Sequence, residues 1–404
     1  MVSAGRHVRH SDNRHRPEQH ARARRHRHRR AADGLDGVGD CQRGAQRDRR
    51  DDSIVAAPSA QSPGGAGTAE SRRDPVKAFA YVNATSEKDA VAALKFDGIA
   101  LPLAGGQDLL ARMKDYIDTP ERVVNVKNAL DRTAAPTSGG GWRIGASMKI
   151  VDLLEHADIG KMYPAIIAAA TDIGTPQIRH QATVGGNLNQ RPRCWYFRNE
   201  EFVCYKKGGS RCFAVNGENQ YHAIFGNDGP SHIVHPSSLA VPFVAYGATF
   251  RVIGSKGERE VAAAEYFTMP TLQNVLKENV LDDDELLTHV MLPAPGNVKT
   301  GHYEVRYKAS HDWPLAFTTV VLAMNGGIVQ SGRVVLGAVA PVPWRSKPAE
   351  DALAGKPLNE ATAAAAAEAA VSEAKPMSGN AYKVQIARTA VKRAILNAAG
   401  IKTV

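Results

Sequence analysis

Short apolar segments alternate with amphipathic ones along residues 77–132. The segments KAFAYVNA, GIALPLAGG and RVVNVKNA are apolar runs of the length and composition typical of strands. Between them, SEKDAVAALK and DLLARMKD space their apolar residues as helices do. Ser86 predicts the N-cap of the first helix, and Asp89 occupies the Glu/Gln place of a capping box. The alternation of strands and helices is α/β in character.

Two further units follow. The first, beginning near Gly141, opens with the helix-like segment KIVDLLEHADIGKMYPAIIAAATDIG and ends in strand-like runs, where Gly254 and Gly257 bracket a predicted hairpin turn. The second, beginning near His302, has predicted antiparallel strands around Asn325-Gly326-Gly327 and then two strongly helical segments, ATAAAAAEAAVSEA and MSGNAYKVQIARTAVKRAILNAA. No apolar stretch reaches about 18 residues, so the sequence predicts no transmembrane helix.

Length and charge indicate a protein of several domains that is not built to bind nucleic acid. The chain has 404 residues, which is typical of two or three domains, and a formal net charge of +10. Residues 1–75 hold 16 Arg, no Lys and 10 acidic residues, so they carry +6 of that charge. The remaining residues carry +4 and are nearly balanced, so basicity does not define the body of the protein and nucleic acid is not an expected partner.

Residues 1–75 contain few large apolar side chains and cannot bury enough surface to offset the entropy of ordering, so we predict that they are disordered. No apolar region follows the pairs Arg24-Arg25 and Arg29-Arg30, which argues against a secretory signal. Three interpretations compete: a polyanion-binding tail, an inert solvated tail, and translation from upstream of a true start at Val76. The absence of Lys beside 16 Arg fits translated GC-rich non-coding DNA and favours the third.

Two glycine pairs, in separate units, stand where backbone amides could approach a phosphate group. The first segment comprises Leu103, Ala104, Gly105, Gly106, Gln107, Asp108 and Leu109, and the second comprises Thr183, Gly185, Gly186, Asn187 and Leu188. Adjacent glycines allow close approach to a diphosphate, although an ordinary turn explains either segment alone. Together, these glycine segments predict a cofactor with two phosphates between the two units.

Three of the four cysteines, Cys194, Cys204 and Cys212, fall in one short window, whereas Cys41 lies in the N-terminal segment. A local group of this kind in a large chain indicates metal binding more than a disulfide framework. Three thiolates suit an iron–sulfur cluster or zinc, and three unremarkable loop cysteines are the alternative.

The order of motifs resembles one known family. AGGQDLLARMK and IRHQATVGGNLNQ resemble the two flavin-phosphate loops of the FAD-binding (medium) subunits of molybdenum hydroxylases, the xanthine dehydrogenase, aldehyde oxidoreductase and carbon monoxide dehydrogenase family. Four further segments match in order and spacing: IVHPSSLAVPFVAYGA, LLTHVMLP, YEVRYKAS and VVLGAVAPVPWRSKPAEDALAGKPL. The resemblance covers residues 77–400.

The resemblance implies an α+β fold: a FAD-binding domain of the vanillyl-alcohol-oxidase (PCMH) type in two parts, followed by a C-terminal α+β domain. The two parts are expected at residues 76–132 and 133–297, and the C-terminal domain at residues 298–404. Residues 190–232, named here the cysteine insertion, interrupt the second part.

The resemblance also implies that both glycine segments hold the FAD pyrophosphate. It places Lys308 near the flavin ring, where a cation acts electrostatically, and the segments containing His235 and Leu292 on the flavin side. From the residues alone, a strand with outward-facing charges explains Lys308, and a core position explains His235 equally well. The chain has no catalytic triad, Walker loop, HExxH or GxGxxG motif, so we assign no catalytic residue and disfavour a Rossmann-type flavoprotein.

A subset of the family carries a 4Fe–4S cluster on such an insertion, so the resemblance implies that Cys194, Cys204 and Cys212 are three of its ligands. In that pattern a fourth Cys stands just before the IVHP segment, and here Ser231 takes its place, followed by His232. A non-Cys fourth ligand, a three-iron cluster, a labile cluster and no cluster are the alternatives.

The implied function is electron transfer in a complex. Substrate is hydroxylated on a molybdopterin-binding large subunit, electrons pass through a 2Fe–2S small subunit to FAD on this chain, and an external acceptor takes them. The rivals are a stand-alone flavin oxidoreductase of the same fold, a polyanion-binding protein acting through its tail, and a scaffold that has lost FAD. The expected compartment is the cytoplasm, or the periplasm if a partner carries an export signal.

Overall fold

The computed structural model describes residues 76–308 and 311–401. The predicted disorder of residues 1–75, and Cys41 with it, lies outside the described residues. Within those two ranges the strands form three sheets that follow one another along the chain.

The first sheet is parallel, and its strands alternate with helices as the sequence predicts. The elements are β1 Ala80–Asn83, α1 Glu87–Leu94, β2 Ala100–Leu103, α2 Leu109–Lys114 and β3 Arg122–Asn125. β3 lies between β1 and β2. The predicted N-cap is confirmed, because the Ser86 hydroxyl accepts a 3.1 Å hydrogen bond from the Asp89 N–H. Parallel strands end at one edge of a sheet, and at that edge β2 runs into the first glycine segment.

Short helices dominate the start of the second part. Its first elements are β4 Ala134–Pro136, β5 Trp142–Gly145, α3 Ile150–Leu154, α4 Ala157–Met162, α5 Pro164–Thr171, α6 Pro176–Arg179 and α7 Val184–Leu188. The long helix-like run is therefore broken twice. The His156 side chain caps α4 by accepting the Ile159 N–H, and Pro164 at the first position of α5 lacks the N–H that a continuing helix would need.

An antiparallel sheet completes the second part. The cysteine insertion contributes α8 Trp195–Arg198 and a 3₁₀ turn at Tyr205–Lys207, and the elements after it are α9 Ala240–Tyr246, β6 Thr249–Gly254, β7 Gly257–Ala262, α10 Ala263–Tyr266 and β8 Leu286–Leu292. The strand order is β4-β5-β8-β6-β7. Gly254 pairs with Gly257 where β6 turns into β7, which confirms the predicted hairpin.

The C-terminal domain packs helices on one antiparallel sheet. Its elements are β9 Val298–Arg306, β10 Pro314–Asn325, β11 Ile328–Gly337, β12 Trp344–Arg345, α11 Lys347–Leu353, α12 Glu360–Ala370 and α13 Tyr382–Ala399. The predicted turn is confirmed: Gly326 and Gly327 have φ of +55° and +84° between β10 and β11. Helix α13 lies so close to β9 that a Cβ on Gly301 would stand 2.0 Å from the Ala394 carbonyl oxygen.

Both faces of the C-terminal sheet are buried. On β10, Phe317 and Val321 belong to the core shared with the first two parts of the chain, whereas Val320 and Leu322 belong to a second core under α11, α12 and α13. A strand covered on both sides loses the apolar–polar alternation, as the run LAFTTVVLAM does. Among the described helices, none is long and apolar enough to cross a membrane.

Candidate functional site

A cavity of about 760 Å³ opens at the end of β2, and both glycine segments line it. Its other walls come from the loop after α5, the start of the cysteine insertion, the loop before β8 and the loop before β10. Sites for small molecules and cofactors typically enclose about 300–1,000 Å³. We name this cavity the cleft.

Backbone contacts explain both glycine pairs. A Cβ on Gly105 would lie 2.2 Å from the Gln181 carbonyl oxygen, and a Cβ on Gly185 would lie 2.8 Å from the Ala146 Cβ. Neither position has room for a side chain. Gly106 has a φ of +72°, in the left-handed region that favours glycine. Gly105 therefore lets the first segment touch the backbone just before the second one, and Gly185 lets α7 pack on Ala146; both segments line the cleft.

The second glycine segment is helical, not the tight turn that its composition favours. It forms α7, and the Thr183 hydroxyl caps this helix by accepting the Gly186 N–H at 3.1 Å. The Ser237 hydroxyl donates to the Asn187 amide oxygen at 2.7 Å, which fixes the other end. Because Thr183 occupies the Gly186 N–H, other groups on this wall have to supply donors to a phosphate.

The structure brings most of the predicted flavin residues to the cleft. Those on its lining are Leu103, Ala104, Gly105, Gly106, Gln107, Asp108, Leu109, Thr183, Gly185, Gly186 and Asn187. Four others, Leu188, His235, Leu292 and Lys308, are not on that lining. Leu188 and Leu292 are core residues, 1% and 3% exposed.

His235 lies behind the cleft wall. Its ring packs edge-on against Phe267 with the ring centroids 4.5 Å apart, and its Nδ1 accepts the Ser237 N–H at 3.3 Å. Burial lowers the pKa of His235 to about 4, so the imidazole is neutral at pH 7. The neighbouring residues Pro236 and Ser238 line the cleft instead.

Lys308 is exposed and lies two residues beyond the end of β9. Its backbone N–H donates to Asp312, a residue of the cleft lining, at 3.1 Å. Nearby, Arg306 contacts Asp172 and lies 3.1 Å from a Glu304 carboxylate oxygen. Burial raises the pKa of Glu304 to about 8, although Arg306 opposes this rise. These acids already have a cationic partner, so we assign no metal to them.

A role for Asp108 emerges that the sequence did not indicate. Its carboxylate receives the Arg193 and Arg198 guanidinium groups at 3.0 and 2.6 Å and lies 3.2 Å from Arg112 Nε. The Arg191 backbone N–H adds a fourth contact at 2.9 Å. Burial opposes ionisation of Asp108, but the three guanidinium groups outweigh it and lower the pKa. The first glycine segment thus carries a fixed negative charge inside a group of cations.

The cysteines of the insertion meet in a second place. Cys194, Cys204 and Cys212 are free thiols that line one cavity of about 10 Å³ together with Ser231, whose exposure is 2%. His222 Nε2 lies 3.2 Å from the Cys194 sulfur. Burial raises the pKa of the Cys194 thiol to about 12, so a metal bound there would displace a proton.

The spacing of the three sulfur atoms indicates which kind of metal centre the cysteines could bind. Tetrahedral zinc, with Zn–S bonds of about 2.3 Å, needs sulfur atoms about 3.8 Å apart. Among the described residues, the one group of three His, Cys, Asp or Glu ligand atoms within 4.8 Å of one another is Asp172, His302 and Glu304, so the cysteines are spaced more widely. The thiols are therefore not spaced for a tetrahedral zinc ion, and a larger group would require the cavity of about 10 Å³ to widen.

The two candidates for a fourth ligand, Ser231 and His232, differ in position. Ser231 lines the cysteine cavity, whereas His232 does not. His232 Nδ1 lies 3.2 Å from the Asn227 amide oxygen instead.

Comparison with known proteins agrees with this fold and site. Residues 77–295 match the family described as the FAD binding domain in molybdopterin dehydrogenase, and residues 301–398 match the CO dehydrogenase flavoprotein C-terminal domain. The aldehyde oxidoreductase FAD-binding subunit PaoB of Escherichia coli K12 is 33% identical over 318 residues, covering 78% of this chain and 96% of that protein. The carbon monoxide dehydrogenase medium chain of Afipia carboxidovorans is 29% identical, covering 78% and 95%.

Solved structures share the fold. Carbon monoxide dehydrogenase from Hydrogenophaga pseudoflava aligns with a TM-score of 0.62 at 28% identity, covering 80% of this chain and 98% of that one. Reconstituted CO dehydrogenase from Oligotropha carboxidovorans aligns with a TM-score of 0.63 at 26% identity, covering 81% and 99%.

A two-part domain with both glycine segments on one cleft, followed by this C-terminal domain, defines a flavoprotein class. The chain belongs to the FAD-binding medium subunits of the molybdenum hydroxylase family.

Proposed function

We propose that this chain holds one FAD in the cleft and relays electrons within a molybdenum hydroxylase complex. The observation that carries the proposal is the meeting of both glycine segments on the cleft wall, in a chain whose relatives are FAD-binding subunits. The partners are a molybdopterin-binding large subunit and a 2Fe–2S small subunit, and an external acceptor receives the electrons. The substrate, an aldehyde or a heterocycle such as xanthine, is selected on the large subunit.

The chain's contribution is binding and electrostatics. Bound FAD supplies a carrier that accepts electrons singly and releases them in pairs. The Gln181 carbonyl and Ala146 fill the space beside Gly105 and Gly185, so these glycines allow the close packing that brings both segments to the cleft. Apolar residues such as Leu103 and Leu109 line the same cleft, and burying a ligand among them excludes water from it.

The cysteine insertion is the proposed site of a 4Fe–4S cluster. Cys194, Cys204 and Cys212 are its thiolate ligands, and Ser231 stands at the fourth corner. Soft sulfur donors suit iron–sulfur clusters, and the shared cavity supports the assignment of all three cysteines to one group. Cytoplasmic location, or periplasmic location with a partner's signal, stays a prediction.

The deciding experiment is an absorbance spectrum of the full-length protein, purified without oxygen, with flavin and iron quantified on the same sample. One flavin and about four irons per chain are expected. Flavin without iron contradicts the cluster and leaves the FAD proposal standing. Folded protein with neither chromophore, even after incubation with FAD, contradicts the proposed function as a whole.

A further inference from the structure

One wall of the cleft contains a connected group of buried charges that joins the first glycine segment to the cysteine insertion. We name it the ion network; its members are Asp108, Asp118, Glu278, Arg112, Arg191, Arg193, Arg198 and Lys206. Their side chains are between 2% and 29% exposed. Four of its cations, Arg191, Arg193, Arg198 and Lys206, belong to the cysteine insertion.

The charges of the ion network do not cancel. Five cations face three carboxylates, so two positive charges remain. Four other carboxylates on the cleft lining each have a cation of their own: Asp172 with Arg306, Asp282 with Lys256, Asp283 with Lys277 and Glu285 with Arg259. Asp312, also on the lining, accepts only the backbone N–H groups of Lys308 and Trp313 among the described residues, so its charge offsets one of the two surplus positive charges and one remains. Buried surplus charge is unfavourable without a counter-ion, so the wall is suited to an anion.

Arg193 is the cation best placed to meet that anion. Its Nη2 is fixed by Asp108 and by the Gln190 amide oxygen, each at 3.0 Å, and its guanidinium carbon lies 4.8 Å from the centre of the Trp313 ring. Its Nε is buried without a hydrogen-bond partner among the described residues, and the residue lines the cleft. A guanidinium with an unused donor on the cleft lining can take a further anionic partner.

We propose that Arg193 binds the diphosphate of FAD, so that the cysteine insertion forms part of the flavin site. This inference rests on the proposed flavin-binding function. A guanidinium presents a planar pair of donors that matches phosphate oxygens, and the surplus positive charge at this wall favours the negative charge of a diphosphate. Asp108 is then a positioning residue: it fixes Arg193 beside the first glycine segment.

The proposal links the two cofactor sites. Arg193 lies two residues after Arg191, whose backbone N–H donates to Asp108 in the first glycine segment, and it immediately precedes Cys194. Disorder of the insertion would therefore remove a diphosphate ligand from the cleft. Weak flavin retention is expected whenever the insertion is unfolded, including after loss of bound iron.

Flavin affinity tests the proposal directly. Full-length protein freed of flavin is titrated with FAD and with riboflavin, which has no phosphate, and the ratio of the two dissociation constants is compared among variants. Arg193→Met is expected to weaken FAD binding about 10- to 100-fold and to leave riboflavin binding unchanged, since charge-assisted hydrogen bonds are lost. Arg193→Lys is expected to fall between this variant and the wild type. Arg388→Met, which removes the same charge on α13 away from the cleft, is the matched control.

The outcomes separate the two proposals. Failure of the wild type to bind FAD rejects the proposed function. If the wild type binds FAD and the dissociation constant of Arg193→Met is within twofold of the wild-type value, only the role of Arg193 is rejected. An equal loss of FAD and riboflavin affinity also rejects that role, because it identifies Arg193 as a structural residue. If Arg193→Met does not fold by circular dichroism, Arg193→Lys and Arg193→Gln decide by the same ratio.

Discussion

Arg198 in the cysteine insertion donates a 2.6 Å hydrogen bond to Asp108 in the first glycine segment, across 90 positions of sequence. The Asp108 side chain is 13% exposed and that of Arg198 is 14% exposed. This contact ties the loop that follows β2 to the segment that bears the cysteines. An acid beside a loop that is proposed to bind phosphate is unfavourable by itself, and here its charge is compensated within the protein.

Replacing Asp108 with Asn is expected to destabilise the flavin-free protein by about 3 kcal/mol, because three buried guanidinium groups lose their anion while the side-chain volume is retained. Urea unfolding followed by circular dichroism measures the change. Asp351→Asn removes a pair with Lys347 whose side chains are 62% and 69% exposed, and it is expected to change stability by less than about 0.5 kcal/mol. Equal effects of the two substitutions would show that the buried contacts of Asp108 contribute nothing.

Glu304 makes stability depend on pH. Burial raises the pKa of Glu304 from 4.5 to about 8, against the opposing effect of Arg306 and with a further contribution from Asp172. The folded state therefore favours the protonated carboxyl. Its stabilisation is complete below pH 4.5 and is lost as pH rises to about 8. The glutamine side chain of Glu304→Gln stays neutral at every pH. The free energy of unfolding of this variant, relative to that of the wild type, is therefore expected to rise by on the order of 3 kcal/mol between pH 5 and pH 9.

Chemical unfolding at a series of pH values measures that gain. The neighbouring His302, Asp172 and Arg306 are kept in the variant, so the difference reports the carboxyl alone. Glu260→Gln, on the exposed strand β7, is the control and is expected to follow the wild type. Parallel pH profiles for Glu304→Gln and the wild type would mean that Glu304 is ionised in the folded protein at neutral pH.

Local signals were enough to predict much of the fold. The cap at Ser86 and the turn at Gly254 and Gly257 depend on residues within a few positions of each other, and both are present. The ion network depends on contacts such as Arg191 to Asp108, separated by 83 positions, for which no local pattern exists. Resemblance identified the glycine segments, but the charges that surround them required the folded chain.

The second glycine segment shows tertiary contacts prevailing over propensity. Two adjacent glycines disfavour a helix by about 1 kcal/mol each, so TVGGNL favours a turn on its own. In the fold, Ala146 packs beneath Gly185 and leaves no room for a Cβ, while Ser237 holds Asn187. These contacts come from distant segments, and they select the helical conformation that the sequence alone did not predict.

Gly105→Ala is expected to weaken FAD binding at least tenfold and to destabilise the protein by about 1–3 kcal/mol. The added methyl group would stand 2.2 Å from the Gln181 carbonyl oxygen, so one glycine segment has to move away from the other. Flavin fluorescence titration and thermal unfolding measure the two effects. Gly139→Ala is the control, because a Cβ there meets nothing within 4 Å. Unchanged FAD affinity in Gly105→Ala would show that the contact between the segments does not shape the site.

Ser231→Cys is expected to increase the iron retained by the purified protein, and Ser231→Ala is expected to decrease it. Ser231 lines the cavity of the three cysteines, so a thiol there completes a set of four sulfur ligands, the arrangement that stabilises 4Fe–4S clusters. A hydroxyl is a harder donor and binds iron–sulfur clusters less tightly than a thiolate does. Iron and sulfide analysis after anaerobic gel filtration measures retention, and electron paramagnetic resonance of the reduced protein identifies the cluster type.

The matched control for Ser231→Cys is Ser210→Cys, which adds a thiol at an exposed position of the same insertion, outside the cavity lining. If both variants retain the same iron, the added thiol acts non-specifically and Ser231 does not face the cluster. If only Ser231→Cys gains iron, residue 231 lies at the position of the fourth cluster ligand. The wild-type serine then makes the cluster easier to lose than a cluster with four thiolate ligands. Because Arg193 is adjacent to Cys194, flavin retention is expected to rise with iron in Ser231→Cys, which connects the two cofactor sites in one measurement.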